Sequence, residues 1–337
     1  MTGLDAETTD ARASLLMKRG IGLLHLRHDA DAALVCFDQA LELRRRLPME
    51  LPIHAYGLAA CWLNRAEALT VLGPGYHPLA LRAYDEALAL LRSLPLGADH
   101  RFSKRRAIAH QNRALLLAAQ NPPAKADAIA GLKEAIAVLD QAEAMPADER
   151  DYLLAVVWMN LANIQLPGDK ITSDQAAWEA ARRALELVKA TENKDVAAAE
   201  AGLKARHVLC HIAARRLSIE PLSKTFMADV HDATDLADEG LDLVRKWERR
   251  GINSFRNLAS DLFRFGARVY AHYQPHFLNE FVSEQLDPEQ SAHSYVESRE
   301  MQTAAREIVV ASRTCALTMR KIVSMFETSA QLPSNVS

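Results

Sequence analysis

The sequence predicts an all-α fold of stacked helix pairs, and three observations carry that prediction. The stretch Trp62-Leu63-Asn64-Arg65-Ala66 returns as His110-Gln111-Asn112-Arg113-Ala114 and as Trp158-Met159-Asn160-Leu161-Ala162, with its asparagines 48 residues apart each time. Phe255-Arg256-Asn257-Leu258-Ala259 follows at about twice that interval, so the pattern survives one weak copy. A second run repeats beside the first. Ala33, Phe37, Asp38, Ala40 and Leu41 align with Ala80, Tyr84, Asp85, Ala87 and Leu88, and both runs reach a proline at the same offset, Pro48 and Pro95. Composition agrees: 49% of the 337 residues are hydrophobic, with only 13 glycines and 13 prolines, the balance of a chain rich in helix formers. Two elements per period make each repeat a pair of helices, and a stack of such pairs buries one continuous core, which overrides the two-domain expectation from length alone.

The elements follow in order. The first helix is expected from about Ala11 to Arg27, after a disordered stretch over residues 1–10. His28-Asp29-Ala30-Asp31 turns the chain into a second helix that Pro48 and Pro52 stop. The second pair spans about Pro52 to Leu94, interrupted by Gly73-Pro74-Gly75-Tyr76-His77-Pro78. The third spans about His100 to Ala144, broken at Asn121-Pro122-Pro123, and the fourth about Ala147 to Ala190, broken near Pro167-Gly168. A fifth pair is less regular and contains Pro221, and a sixth begins near Asn253, its first helix ending by Pro275. Asp287-Pro288-Glu289-Gln290 reads as a helix start, after which Met301, Ala304, Ile308, Ala311 and Cys315 step by threes and fours. That last helix has two readings, a cap on the final repeat and a homodimer seam.

An aromatic residue, a small residue four places on, then Ala-x3-aromatic-x2-Ala and a proline resembles the tetratricopeptide repeat, with Trp62, Ala66, Ala80, Tyr84, Ala87 and Pro95 fitting best. Arg65 and Arg113 stand where that family has leucine, and the period is 48 residues where the family has about 34. The long-helix variants with Asn-Leu-Ala in the first helix, such as kinesin light chain repeats, are more similar. The resemblance covers roughly residues 12–275 and implies a right-handed superhelical solenoid of about six antiparallel helix pairs. On this reading residues 11–286 are the repeat domain, residues 287–330 the C-terminal capping or dimerisation helix, and residues 331–337 a disordered tail.

Successive residues turn by about 100° on a helix, so Trp62 and Ala66 share a face and Asn64 points nearly the opposite way. The same holds for Asn112, Asn160 and Asn257, which places a line of carboxamides on the inner surface of a curved stack. A carboxamide has one acceptor and two donors, enough to pair with both the N–H and the C=O of an extended peptide whatever its sequence. The resemblance supports this, because similar repeats hold peptide backbone with such asparagines. The bland alternative is that the asparagines bond to each other or to adjacent helices. Arg19, Arg65 and Arg113 form a second line about 100° away, with Arg105 two turns before Asn112, and guanidiniums there would favour acidic groups in the partner.

Several function classes find no support. The formal charge of −3 gives no drive toward nucleic acid or anionic membrane, and no stretch is long and apolar enough to span a bilayer. The polar start of the chain does not read as a signal peptide, and Cys36, Cys61, Cys210 and Cys315 are scattered, as expected of reduced thiols in a cytoplasmic protein. His207 and His211 lie four apart, but no third ligand converges on them, so no metal, cofactor or catalytic residue is expected. The expectation is a non-enzymatic adaptor that holds a peptide segment or partner subunit in the groove. Its alternatives are a regulatory or small-ligand-sensing solenoid acting with a separate catalytic chain, and a pure scaffold.

Overall fold

The computed structural model describes residues 3–95, 97–166, 171–219 and 224–262, with residue 265. It is all-α in those residues and divides into two compact units, residues 1–167 and 168–337. The division falls at Pro167-Gly168, in the loop expected to join the two helices of the fourth pair.

The described residues of the first unit form seven α-helices: α1 (Gly3–Leu26), α2 (Ala30–Arg44), α3 (Pro52–Leu72), α4 (His77–Arg92), α5 (His100–Ala118), α6 (Lys125–Asp140) and α7 (Ala147–Gln165). Each packs against the next in sequence, and the odd-numbered helices also touch one another in the order α1, α3, α5, α7. Among the described residues the backbones of the even-numbered helices of this unit stay farther apart than those of the odd-numbered ones.

The repeat decides what is buried. Ala33, Ala80 and Ala128 are fully buried, as are Ala40, Ala87 and Ala135. Phe37, Tyr84 and Leu132 fill the large position between them. On the odd helices Ala66, Ala114 and Ala162 are at 0% exposure, which lets backbones approach closely. Gly20 takes this furthest, since a Cβ there would meet the Phe37 ring at 2.5 Å.

Helix ends follow local chemistry. Asp29 accepts a hydrogen bond from the Ala32 N–H at 3.0 Å and caps α2, and Asp99 does the same for the Arg101 N–H at 2.9 Å on α5. Between α3 and α4 the break is shorter than the sequence suggests. Gly73, at φ 109°, turns the chain alone, Pro74–Tyr76 form a 3-10 turn, and Pro74 and Pro78 sit in first turns, where a missing N–H costs nothing. At the start of the chain the structure differs from the expected disorder of residues 1–10. The α1 helix begins at Gly3, and Thr8 and Thr9 donate to the Asp5 carbonyl at 3.1 and 2.6 Å.

The second unit contains α8 (Ile171–Val188), α9 (Val196–Ile219) and α10 (Lys224–Glu248), and residues 256–262 are helical. Here α9 packs against both α8 and α10. Ala177, Ala181, Ala184 and Leu185 are buried at the positions that their counterparts hold in α2 and α4. The expected helix over 287–330, the tail over 331–337 and Cys315 lie outside the described residues.

Candidate partner-binding site

Asn64, Asn112 and Asn160 occupy the same register on α3, α5 and α7, and all three are half-buried. Asn64 turns back along its own helix, where Nδ2 donates to the Ala60 carbonyl at 2.9 Å, leaving its second N–H and its oxygen uncommitted by that bond. Asn112 bonds to the Tyr84 hydroxyl, as does Thr70. Tyr84 is only 2% exposed, and burial pushes its phenol up to about 12 while those two hydrogen bonds pull the other way. Asn257 is exposed and belongs to the second unit.

The arginines lie elsewhere. Arg65 Nε donates to Asp38 Oδ1 at 2.6 Å, and one repeat on Arg113 Nε donates to Asp85 Oδ1 at 2.7 Å. Both pairs join an even helix to the odd helix that follows it. Arg65 also stacks on Trp62, its guanidinium carbon 5.7 Å from the ring centroid, with Arg45 at 5.2 Å. Trp62 and Arg65 line a cleft of about 940 Å³ whose other walls come from α1, α2 and α4, and Asn64 is not among its lining residues. The structure thus brings Arg65 together with Trp62 and separates it from the neighbouring asparagine. Arg105 stacks on Tyr56 at 4.6 Å, and Tyr56 in turn meets Phe102 at 5.3 Å between centroids. Arg19 is exposed and makes no ion pair with the described residues.

Sequence reasoning missed three buried polar groups. Arg206 on α9, 1% exposed, donates to both Glu192 oxygens at 2.6 and 2.9 Å and to Glu239 of α10 at 3.1 Å. Burial lowers the pKa of this guanidinium, but the two carboxylates outweigh it and the net shift is upward. Arg44 on α2, 8% exposed, donates to Ser14 Oγ at 3.0 Å and lies 3.3 Å from Asp10. His110, 6% exposed, has an Nε2 with no hydrogen-bond partner among the described residues; burial first, then Arg106, Arg92 and Arg113, lower it to about 4. Glycines were the available signal for the two arginines. A Cβ at Gly57 would meet the Arg44 guanidinium at 2.5 Å, and one at Gly202 would meet Glu192 Oε2 at 2.5 Å.

The histidine pair is brought together, with the His207 and His211 rings 6.5 Å apart and His207 Nε2 3.7 Å from Asp261 Oδ2. No group of three potential ligands is arranged to hold a metal among the described residues. Cys36, Cys61 and Cys210 are free and buried; burial pushes the Cys61 thiol up to about 11 against the pull of Arg44, and raises Cys210 further. No described helix is long and apolar enough to cross a membrane.

At the level of sequence, no protein-family profile matches this chain and no curated protein does. Solved structures do. BtubC (BKLC) from P. vanneervenii matches over 91% of this chain and 95% of its own, with a TM-score of 0.52 at 13% identity. A Podosopora anserina putative kinesin light chain with nearly identical TPR-like repeats matches over 71% of this chain and 98% of its own, with a TM-score of 0.47 at 14% identity. At such identities the likeness speaks for architecture alone. Helices packed in sequential pairs, in a repeating register that buries the same positions, give this chain an all-α fold of repeated helix pairs, the architecture it shares with BtubC.

Proposed function

We propose that the protein is a non-enzymatic adaptor that holds a peptide segment or partner subunit on the face formed by its odd-numbered helices. The observation that carries this reading is the common register of Asn64, Asn112 and Asn160 on three successive odd helices, each half-exposed. Closer approach of α1, α3, α5 and α7 than of the even helices supports an inner surface on the odd side. Asn64 keeps a donor and an acceptor beyond its bond to Ala60. Each neutral hydrogen bond to a visiting backbone would contribute about 1 kcal/mol net, so three amides support modest affinity and side-chain pockets supply selectivity. Arg105, two turns before Asn112, would add positive charge to the face, Arg19 would add it along the line of Arg65 and Arg113, and Asn257 offers a carboxamide in the second unit. Arg65 and Arg113 keep carboxylates as local partners, so acidic groups on a partner would share these guanidiniums with Asp38 and Asp85.

The test is affinity capture with the full chain, followed by mass spectrometry, repeated with Asn64→Ala, Asn112→Ala and Asn160→Ala combined. The triple variant should keep its helical circular dichroism and lose partners that the parent retains. Identical partner sets from both proteins would remove the asparagine face from the mechanism.

A further inference from the structure

The backbones of α2 and α4 do not approach each other closely, and the cleft of about 940 Å³ lies between these helices. Its composition is uneven. Five arginines line it, Arg12, Arg45, Arg46, Arg65 and Arg82, against three carboxylates, Asp38, Glu42 and Glu86. Two of the arginines are already matched, Arg65 with Asp38 at 2.6 Å and Arg45 with Glu42 at 2.8 Å. Arg12, Arg46 and Arg82 are exposed and make no ion pair with the described residues. The guanidiniums of Arg45 and Arg65 lie 5.2 and 5.7 Å from the half-buried indole of Trp62, and Leu16 and Leu79 also line the cleft.

The arrangement is built into the repeat. One joint further on, Arg92, His110, Arg113 and Asp85 take the places of Arg45, Trp62, Arg65 and Asp38. At the third joint the ring stays as Trp158, while Leu161 and Lys133 replace the arginine and the aspartate. Positive charge therefore concentrates along the first two joints of this side.

We propose that the cleft between α2 and α4 docks an acidic peptide segment of a partner protein, on a surface separate from the asparagine face. Arginine forks match carboxylates in pairs of parallel hydrogen bonds, and three forks here have no carboxylate of their own. Trp62, Leu16 and Leu79 provide an apolar strip for an aliphatic side chain between the acidic ones. The rim carboxylates favour a peptide over a nucleic acid. Asp38, Glu42 and Glu86 would repel the closely spaced phosphates of a polynucleotide, whereas side-chain carboxylates spaced along a peptide can be seated between them.

The probe is a fluorescein-labelled peptide of glutamate pairs separated by single leucines, titrated with the full chain by fluorescence anisotropy against the matching lysine peptide. The acidic peptide binds, the lysine peptide does not, and binding weakens as salt rises. In the variant carrying both Arg12→Glu and Arg82→Glu, binding of the acidic peptide falls by about tenfold or more and the lysine peptide gains affinity, a gain that a merely misfolded variant would not show. Asn64→Ala leaves acidic-peptide binding unchanged, which keeps this result independent of the adaptor reading above. The proposal is overturned by no binding to the parent, by equal binding to the double variant, by loss of binding in Asn64→Ala, or by a preference for single-stranded polyuridine over the peptide.

Discussion

His110 holds the ring position that tryptophan holds in the repeats on either side, and it brings a titratable nitrogen into a place that excludes water. In the folded protein burial and the nearby Arg106, Arg92 and Arg113 lower it to about 4, whereas in the unfolded chain it titrates near its ordinary value of about 6.5. Between those two values the unfolded chain takes up a proton that the native chain refuses. Stability is therefore intact above about pH 6.5 and falls as the pH drops toward about 4, by up to roughly 3 kcal/mol from this one residue. His110→Gln should flatten that part of the profile, and urea midpoints at pH 7 and pH 5 measure it. The same slope in both proteins would show that other groups carry the acid sensitivity. Residue by residue, the sequence is legible where one position does one job. Ala66 is fully buried and Trp62 half-buried on the face that their spacing shares, and Asn64 and Arg65 separate by the 100° step between neighbours. One step along the helix sends Arg65 into the cleft with Trp62 and leaves Asn64 outside it.

At the scale of the helix, two glycines one turn-fraction apart have opposite meanings. Gly20 admits the Phe37 ring, because a Cβ there would sit 2.5 Å from its nearest carbon, while a Cβ at Gly22 meets nothing within 4 Å. Gly20→Ala should destabilise the protein by about 1–3 kcal/mol through overpacking. Gly22→Ala should stabilise it by about 0.5–1 kcal/mol by stiffening the unfolded chain and favouring the helix. Chemical denaturation of the two variants decides both, and a like sign for the pair would contradict the packing of α1 on α2. Helix bounds were readable because small and large apolar residues recur at fixed places along α2, α4 and α6. The start of α1 was not, since residues 3–10 have no apolar stripe to mark them. Buried charge was equally silent: Arg206 meets Glu192 across 14 residues of chain, a separation that no helical periodicity flags.

At the scale of the whole molecule, the periodicity implies a continuous array, and the chain comprises two compact units, residues 1–167 and 168–337. The first unit contains its own buried clusters, one around Phe37 and Leu41 and another around Tyr84 and Leu91. A fragment of residues 1–167 should accordingly fold alone, with helical circular dichroism and a cooperative melt; a non-cooperative transition would show that it depends on the rest of the chain. The order of its helices is a further matter, and the charged joints bear on it. Asp38 faces Arg65 and Asp85 faces Arg113, but the next even helix carries Lys133 at the aspartate's place and the next odd helix Leu161 at the arginine's. The first two joints are thus interchangeable modules, while the third is not: shuffling the chain so that α6 preceded α3 or α5 would set one cation against another. A duplication or recombination event in this gene that ignored that polarity would set like charges together at a partly exposed joint, at a cost on the order of 1 kcal/mol, which biases the array toward one direction of growth.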